Sequence, residues 1–326
     1  MTLNRSVLAS ALALLLGVGV VSTVSSGTVL SLFTQAIVYA VFALGIGVLL
    51  KQNGMVSFGH ALYFGSAGYV LGILLQLQVA SAETIIFLTL FSITVIGFIF
   101  GLIIVRVPGV AFGMLTLAIG QMFYLTASRA RGFTGGADGM NIDWPSTLFG
   151  MPVSQILKPG AMFLISWTTL VVVMFLVACL LRGRFGAITE AVRDNEERAR
   201  FIGISTLLPR ASVYALSALI SAIAGVLSAL NTGFVSPENL HWSLSGMTLM
   251  MVVVGGFKAL WGPALGAVVY FIFKDVVGDY ATHWMSIFGV ALIAVIVFSP
   301  TGIAGALQAL WSGKPAAASR AKAGAH

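Results

Sequence analysis

The chain has 326 residues, of which 59% are hydrophobic and 8% charged, with a formal net charge of +7. A soluble domain carries about a quarter charged residues and must cover itself with groups that water accepts, so a water-soluble globular domain is excluded. The basic residues sit between apolar runs rather than on one face, which points to the loops of a membrane protein and away from nucleic acid.

A spanning helix needs about 20 apolar residues. Residues 6–50 hold no charged residue, enough for two spans with Ser25-Ser26-Gly27 as the turn. The first resembles a signal peptide, with Arg5 ahead of Val7 to Val21. The Val-Ser-Thr-Val-Ser-Ser that follows lacks a small-x-small cleavage site, so it reads as an uncleaved span. Further runs cover 57–78, 84–105, 108–128, 160–181, 211–231 and 243–257. A shorter run, 259–273, is opened by Gly262-Pro263, where Pro suits a first helical turn. The last is 284–299.

These runs predict an all-α, polytopic integral membrane bundle of about 8–10 spans. The Gly-containing runs 57–78 and 259–273 are candidates for broken or re-entrant elements, tolerated where protein or a water-filled path satisfies the backbone. Glycine pairs four apart, such as Gly68/Gly72, Gly97/Gly101, Gly109/Gly113 and Gly262/Gly266, suit close helix packing.

Alternating spans place Arg5, Lys51, Arg106, Arg182, Arg184, Arg193, Arg198, Arg200, Lys314, Arg320 and Lys322 on one side. By the excess of Lys and Arg that side is cytoplasmic, and both termini lie there. Arg129, Arg131 and Lys158 are exceptions that flank a long external loop. The reading divides the chain into a transmembrane domain, 1–313, and a low-complexity disordered cytoplasmic tail, 314–326.

The apolar runs hold few ionisable groups. His60 lies within one, and Lys258, Lys274, Asp275 and Asp279 lie near predicted ends. An ion-coupled carrier places such groups inside the bilayer. No Walker A loop, His-Glu-x-x-His or Gly-x-Ser-x-Gly occurs. The single cysteine, Cys179, lies in an apolar run and excludes an internal disulfide or dithiol pair. No metal or cofactor site is expected, and energy for uphill transport would come from another polypeptide.

Residues 182–210 stand apart, with six basic and four acidic side chains. Phe185-Gly186 reads as a break after the preceding span. Residues 187–202 read as one amphipathic helix, with Ile188, Ala191, Val192, Ala199 and Ile202 on a stripe. Asp194/Arg198 and Glu196/Arg200 stand four apart in the favourable order, and Gly203 is a natural cap. Such a helix either lies on the membrane surface or docks in a groove on a partner.

Several segments together resemble the permease subunits of branched-chain amino acid ABC importers, the LivM type. Asn53-Gly54-Met55-Val56-Ser57-Phe58-Gly59-His60-Ala61 is similar to that family's Gly-x-x-Ser-x-Gly-His segment. Thr134-Gly135-Gly136-Ala137-Asp138-Gly139 is similar to its Thr-Gly-Gly-x-Asp-Gly stretch. Glu190-Ala191-Val192-Arg193-Asp194-Asn195-Glu196 with Gly203-Ile204 matches its cytoplasmic segment. Gly233-Phe234-Val235-Ser236-Pro237-Glu238, Gly255-Gly256, Leu260-Trp261-Gly262-Pro263 and Ser299-Pro300-Thr301-Gly302 follow in order. Val192 departs from the generic importer loop, where a second Ala stands.

The resemblance implies a permease domain that pairs with a second, related permease as a heterodimer. It also implies two cytoplasmic ATPases that hydrolyse the ATP, a periplasmic substrate-binding protein and a place in the bacterial inner membrane. It makes 182–210 a coupling segment, with Glu190, Ala191, Arg193, Asp194, Glu197 and Gly203 as its candidate residues. Ser57, Phe58, Gly59 and His60 are candidates for the translocation path, and Asp138 and Glu238 for contact with the binding protein. The substrate expectation is a branched-chain amino acid or a related small polar solute. A stand-alone secondary carrier or passive channel, and a membrane-embedded enzyme or scaffold, are the rival readings.

Overall fold

This computed structural model describes residues 2–24, 26–278, 280–281, 283–299 and 301–312; the predicted tail, Asp279 and Pro300 fall outside them. The uncharged N-terminal run forms α1 (Thr2–Thr23) and α2 (Gly27–Asn53). Lys51 lies in the last turn of α2, where a cation meets the negative helix pole. Residues 54–60 then run without helix to α3 (Ala61–Gln76). The Ser81 hydroxyl accepts from the Thr84 N–H at the start of α4 (Ala82–Ile104), a favourable cap, and α5 (Val110–Arg129) follows.

The long loop after α5 carries α6 (Arg131–Thr134), a 3-10 turn over Gly136–Asp138, β1 (Met140–Asn141), β2 (Thr147–Leu148), β3 (Met151–Pro152) and α7 (Val153–Ile156). Next come α8 (Pro159–Arg182), α9 (Arg184–Asp194), α10 (Glu196–Phe201), α11 (Leu207–Thr232) and β4 (Phe234–Val235). A 3-10 turn over Pro237–Leu240 leads to α12 (Trp242–Gly255), α13 (Gly262–Gly278), α14 (Trp284–Phe298) and α15 (Gly302–Ser312). β2 pairs with β3 as a small hairpin, while β1 pairs antiparallel with the distant β4, Met140 opposite Val235.

The chain is an all-α, multi-pass membrane bundle. Helices α2, α4, α5, α8 and α11 are long and apolar enough to cross a bilayer, and α14 with α15, bent by 45°, makes one more if taken as a single span. Every predicted run forms a helix, but fewer of them are long enough to cross as straight spans than the expected 8–10. Helices α3, α12, α13 and α14 have 16, 14, 17 and 15 residues, short of the ~20 a straight span needs. Apolar runs measured between charges include non-helical backbone, such as residues 57–60 and 259–261.

Burial sorts the helices. The most apolar stretches of α2 and α11 are 78% buried, against 28% for α4, α5 and α8, so α2 and α11 form the centre and the others face outward. Outward residues of α4 include Phe87, Phe91, Ile99 and Ile103, a surface that suits lipid. On its other side Gly97 and Gly101 lie against Ala218 and Ala211 of α11, the close approach that small residues allow.

Candidate functional site

The charged segment 182–210 folds as two helices, not one. Asn195 is extended (φ −156°, ψ 101°) and separates α9 from α10, where its side chain accepts from the Arg198 N–H. Asn prefers such a cap to a helix interior, which is why the expected single helix 187–202 breaks there. The break after α8 lies at Gly183, and Phe185-Gly186 is inside α9. The expected apolar stripe is therefore divided. Val192 and Ala199 are buried, while Ile188, Ala191 and Ile202 are exposed. Gly203 ends α10 at φ +83°. Its N–H bonds the Arg200 carbonyl and the Ile204 N–H bonds that of Ala199, the Schellman pattern for which glycine is the favoured residue.

The inner face of α9 is tied to the last turn of α2. Thr189 Oγ1 hydrogen-bonds Gln52 Oε1 at 2.8 Å, and Arg193 Nη1 donates to the Lys51 carbonyl. The neighbouring Asn53 Nδ2 donates to the Arg210 carbonyl at 3.0 Å in the first turn of α11. Three consecutive residues of α2 thus reach two different elements, α9 and α11. Arg193 is held there by Asp194 at 2.6 Å and Glu190 at 3.5 Å. Asp194 pairs with Arg193 rather than with the expected Arg198, whose side of the chain lies beyond the Asn195 break. The Glu196–Arg200 pair forms as read, at 2.6 Å.

Glu196 joins α10 to α11, since its carboxylate also meets Arg210 Nη1 at 2.7 Å and accepts from Thr206 Oγ1 at 2.9 Å. Partial burial opposes its ionisation, but the Thr206 hydrogen bond and the charges of Arg210 and Arg200 outweigh this and hold its carboxyl below the usual carboxylate range. Glu190, Ala191, Asp194, Glu197, Phe201 and Ile202 are exposed, a mixed acidic and apolar face.

From the same end of α2 the broken segment 54–60 runs into the bundle. Side chains of α5 and α12 accept from backbone N–H groups in this segment and just after it, as irregular backbone in a bilayer requires. The Phe58 N–H donates to Thr116 Oγ1 at 3.2 Å and the Ala61 N–H to Ser245 Oγ at 2.7 Å. His60 is fully buried. Its Nε2 lies 2.8 Å from Ser217 Oγ and its Nδ1 2.7 Å from Ser57 Oγ. Ser217 spends its one proton on the Gly45 carbonyl at 2.7 Å, so it can only accept from the ring. A neutral His60 therefore carries its proton on Nε2 and accepts from Ser57 at Nδ1. Gly59 passes so near α5 that a Cβ would stand 2.2 Å from the Thr116 carbonyl oxygen. Of the four residues read as path-lining, Ser57, Gly59 and His60 are buried and Phe58 is partly exposed. Phe58 lines an apolar cavity of about 400 Å³ with Val56, Val110 and Met114.

At the opposite end the β1–β4 pairing brings two sequence-distant motifs together. Asp138 stands exposed in the turn before β1, and Glu238 in the 3-10 turn after β4.

A family profile described as the permease component of a branched-chain amino acid transport system matches residues 28–299. The chain belongs to this family. Among similar proteins, the high-affinity branched-chain amino acid transport system permease protein LivM of Escherichia coli (strain K12) is 24% identical over 300 residues, covering 86% of this chain and 70% of that protein. The autoinducer 2 import system permease protein LsrC of Escherichia coli (strain K12 / DH10B) is 27% identical over 289 residues, covering 83% of this chain and 78% of that protein. No solved structure matches.

In this permease the glycine-rich motifs are places of close backbone approach. Gly255 lies against Gly262 and Gly266, and Gly256 against Gly302, so three separate motifs meet at one junction of α12, α13 and α15. Sequence reading missed the partners that hold the segments: Gln52, Thr189, Thr116, Ser217 and Ser245. Their one signal is that they are polar residues within apolar or amphipathic stretches.

Proposed function

We propose that the chain is the transmembrane permease subunit of an ATP-driven ABC importer in the bacterial inner membrane. It forms half of the translocation path for a branched-chain amino acid or a related small polar solute. Residues 1–313 are the permease domain and both termini are cytoplasmic. A second, related permease completes the path, a periplasmic binding protein delivers the solute, and two cytoplasmic ATPase subunits hydrolyse ATP. The chain carries no ATPase site and no cofactor of its own.

The observation that carries this reading, beside the family, is the construction of 182–210. One face of α9 is bonded to the end of α2, and the other presents Ile188, Ala191, Glu190 and Asp194 outward. A loop helix resting on lipid needs no such tie to the bundle. A helix that transmits a partner's motion does, because only an element bonded to the bundle moves it. Motion of α9 would pass through Lys51 and Gln52 to the broken segment that begins at Gly54. In this arrangement Arg193 is a positioning residue, and the ATPase meets the outer face of α9 and α10 at Glu190, Ala191, Asp194 and Glu197. Asp138 and Glu238 lie toward the binding protein's side.

The test is solute uptake into proteoliposomes that contain the chain with the subunits that co-purify. The reading expects uptake only with ATP and the binding protein. Uptake by the chain alone, without ATP, would establish the carrier or channel reading instead.

A further inference from the structure

Helices α2 and α11 form the buried centre of the bundle, yet the halves of them remote from α9 carry polar side chains that are not buried. Between Leu30 and Leu49 of α2 the only exposed residues are Ser31 and Gln35, and half-buried Tyr39 continues their line. Spaced four apart, the three share one face of the helix. In the last turns of α11, Ser228 and Asn231 are half-buried and Thr232 is exposed. On α4, by contrast, every exposed position from Phe87 to Ile103 is a Phe, Leu, Val or Ile. One chain thus shows two kinds of outer surface, an apolar one that suits lipid and a polar one that does not.

The polar residues enclose a space. Gln35, Tyr39, Ser228, Asn231, Thr232 and Asn239 line a cavity of about 150 Å³, and none of the described residues around it bears a formal charge. Among the described residues, the side-chain amides of Gln35, Asn231 and Asn239 have no hydrogen-bond partner. Tyr39 and Asn239 are also walls of a larger, mostly apolar cavity of about 430 Å³ beside α12 and α14, so the polar space leads onward.

The length of α2 sets the depth. Its 27 residues extend about 40 Å, about 10 Å more than the hydrocarbon layer is thick. Gln35 stands about 12 Å from the start of the helix. It therefore lies within the layer even if all the excess projects at that end. Lipid offers an amide neither donor nor acceptor, so an unpartnered amide at this depth is unfavourable unless water reaches it.

We propose that this cavity is the water-filled mouth of the translocation path, at the end of the bundle opposite α9. Gln35, Asn231 and Asn239 are its hydrogen-bonding walls. The inference rests on the permease reading and deepens it. It moves the path from the broken segment, where three of the four candidate residues are buried, to the face between α2 and α11.

The experiment compares single cysteines, Gln35→Cys and Phe91→Cys, in a Cys179→Ser background. Phe91 is the lipid-side control, 58% exposed on α4 at similar depth. Membrane fragments open on both faces, with the full chain and its accompanying subunits, are treated with a positively charged methanethiosulfonate, which does not enter lipid. Gln35→Cys is modified at least tenfold faster than Phe91→Cys. Equal, slow rates mean that Gln35 meets lipid or a dry face of a partner, and overturn the proposal. Ser31→Cys, one turn away on the same face, replaces Gln35→Cys if that variant is not monodisperse. In a preparation shown to take up solute with ATP, trapping with ATP and vanadate changes the Gln35→Cys rate severalfold and leaves Thr147→Cys, in the β2–β3 hairpin, unchanged. An unchanged Gln35→Cys rate there marks a static crevice and overturns the assignment to the path. The first comparison needs no ATP, so a failure of the importer reading is detected separately by uptake.

Discussion

Thr189 of α9 meets Gln52 of α2 at 2.8 Å, and both side chains are buried. The charged segment 182–210 is thereby part of the bundle on one face and exposed on the other. Replacing Thr189 with Val keeps the shape and removes the hydroxyl, leaving the buried Gln52 amide oxygen without its partner. An orphaned buried group costs about 1–3 kcal/mol. Thr189→Val lowers the thermal midpoint of the detergent-solubilised chain, followed by size-exclusion fluorescence, whereas Thr189→Ser leaves it near the parent value.

His60 and Ser217 give a second test. Ser217→Ala removes the acceptor of the His60 Nε2–H and the donor to the Gly45 carbonyl. A loss of about 1–3 kcal/mol is expected, again read as a lowered thermal midpoint. An unchanged midpoint would mean that this network does not pin the broken segment.

Gly59 and Gly203 separate crowding from backbone strain. At Gly59 an added methyl meets the Thr116 carbonyl oxygen at 2.2 Å, while at Gly203 it meets nothing within 4 Å. Gly59→Ala forces α5 away from the break and costs about 1–3 kcal/mol or more, visible as loss of monodisperse protein. Gly203→Ala pays only the left-handed conformation, about 1 kcal/mol, and yields folded protein.

Glu196 predicts a pH dependence. Its folded carboxyl titrates below the ordinary value of 4.5, so the unfolded chain takes up the proton first as pH falls. The stabilisation is fully present above about pH 4.5 and is lost as pH drops through the lower, folded value. Thermal midpoints measured from neutral pH downward stay level and then fall in that acid window. In Glu196→Gln this contribution to the fall is absent and the neutral plateau is lower, because Arg200 and Arg210 lose their shared partner.

The sequence made the class of fold plain because charge is so scarce in it that each apolar run had to become a helix. It overstated the number of full spans because a gap between charges does not reveal where backbone leaves the helix. Residues 57–60 read as the start of a span, yet they belong to an irregular stretch in which His60 bonds Ser57 and Ser217 of α11. The single helix expected over 187–202 failed at Asn195, whose side chain competes for backbone N–H groups. Arg193 looked outward by its charge, but only tertiary structure shows the Lys51 carbonyl that draws it inward. The polar partners on α5, α11 and α12 were illegible, since a Ser or Thr in an apolar run bonds its own helix as readily as another.

The central claim is that an ATPase grips the outer face of α9. The most direct measurement is pull-down of the tagged chain from solubilised membranes, with and without Ile188→Glu plus Ala191→Glu, two exposed positions one turn apart and outside the ties to α2. The account predicts that the parent chain brings down an ATPase and a second permease, and that the double variant sheds the ATPase alone. An ATPase that stays bound to the double variant, or a parent chain that brings down none, would contradict it.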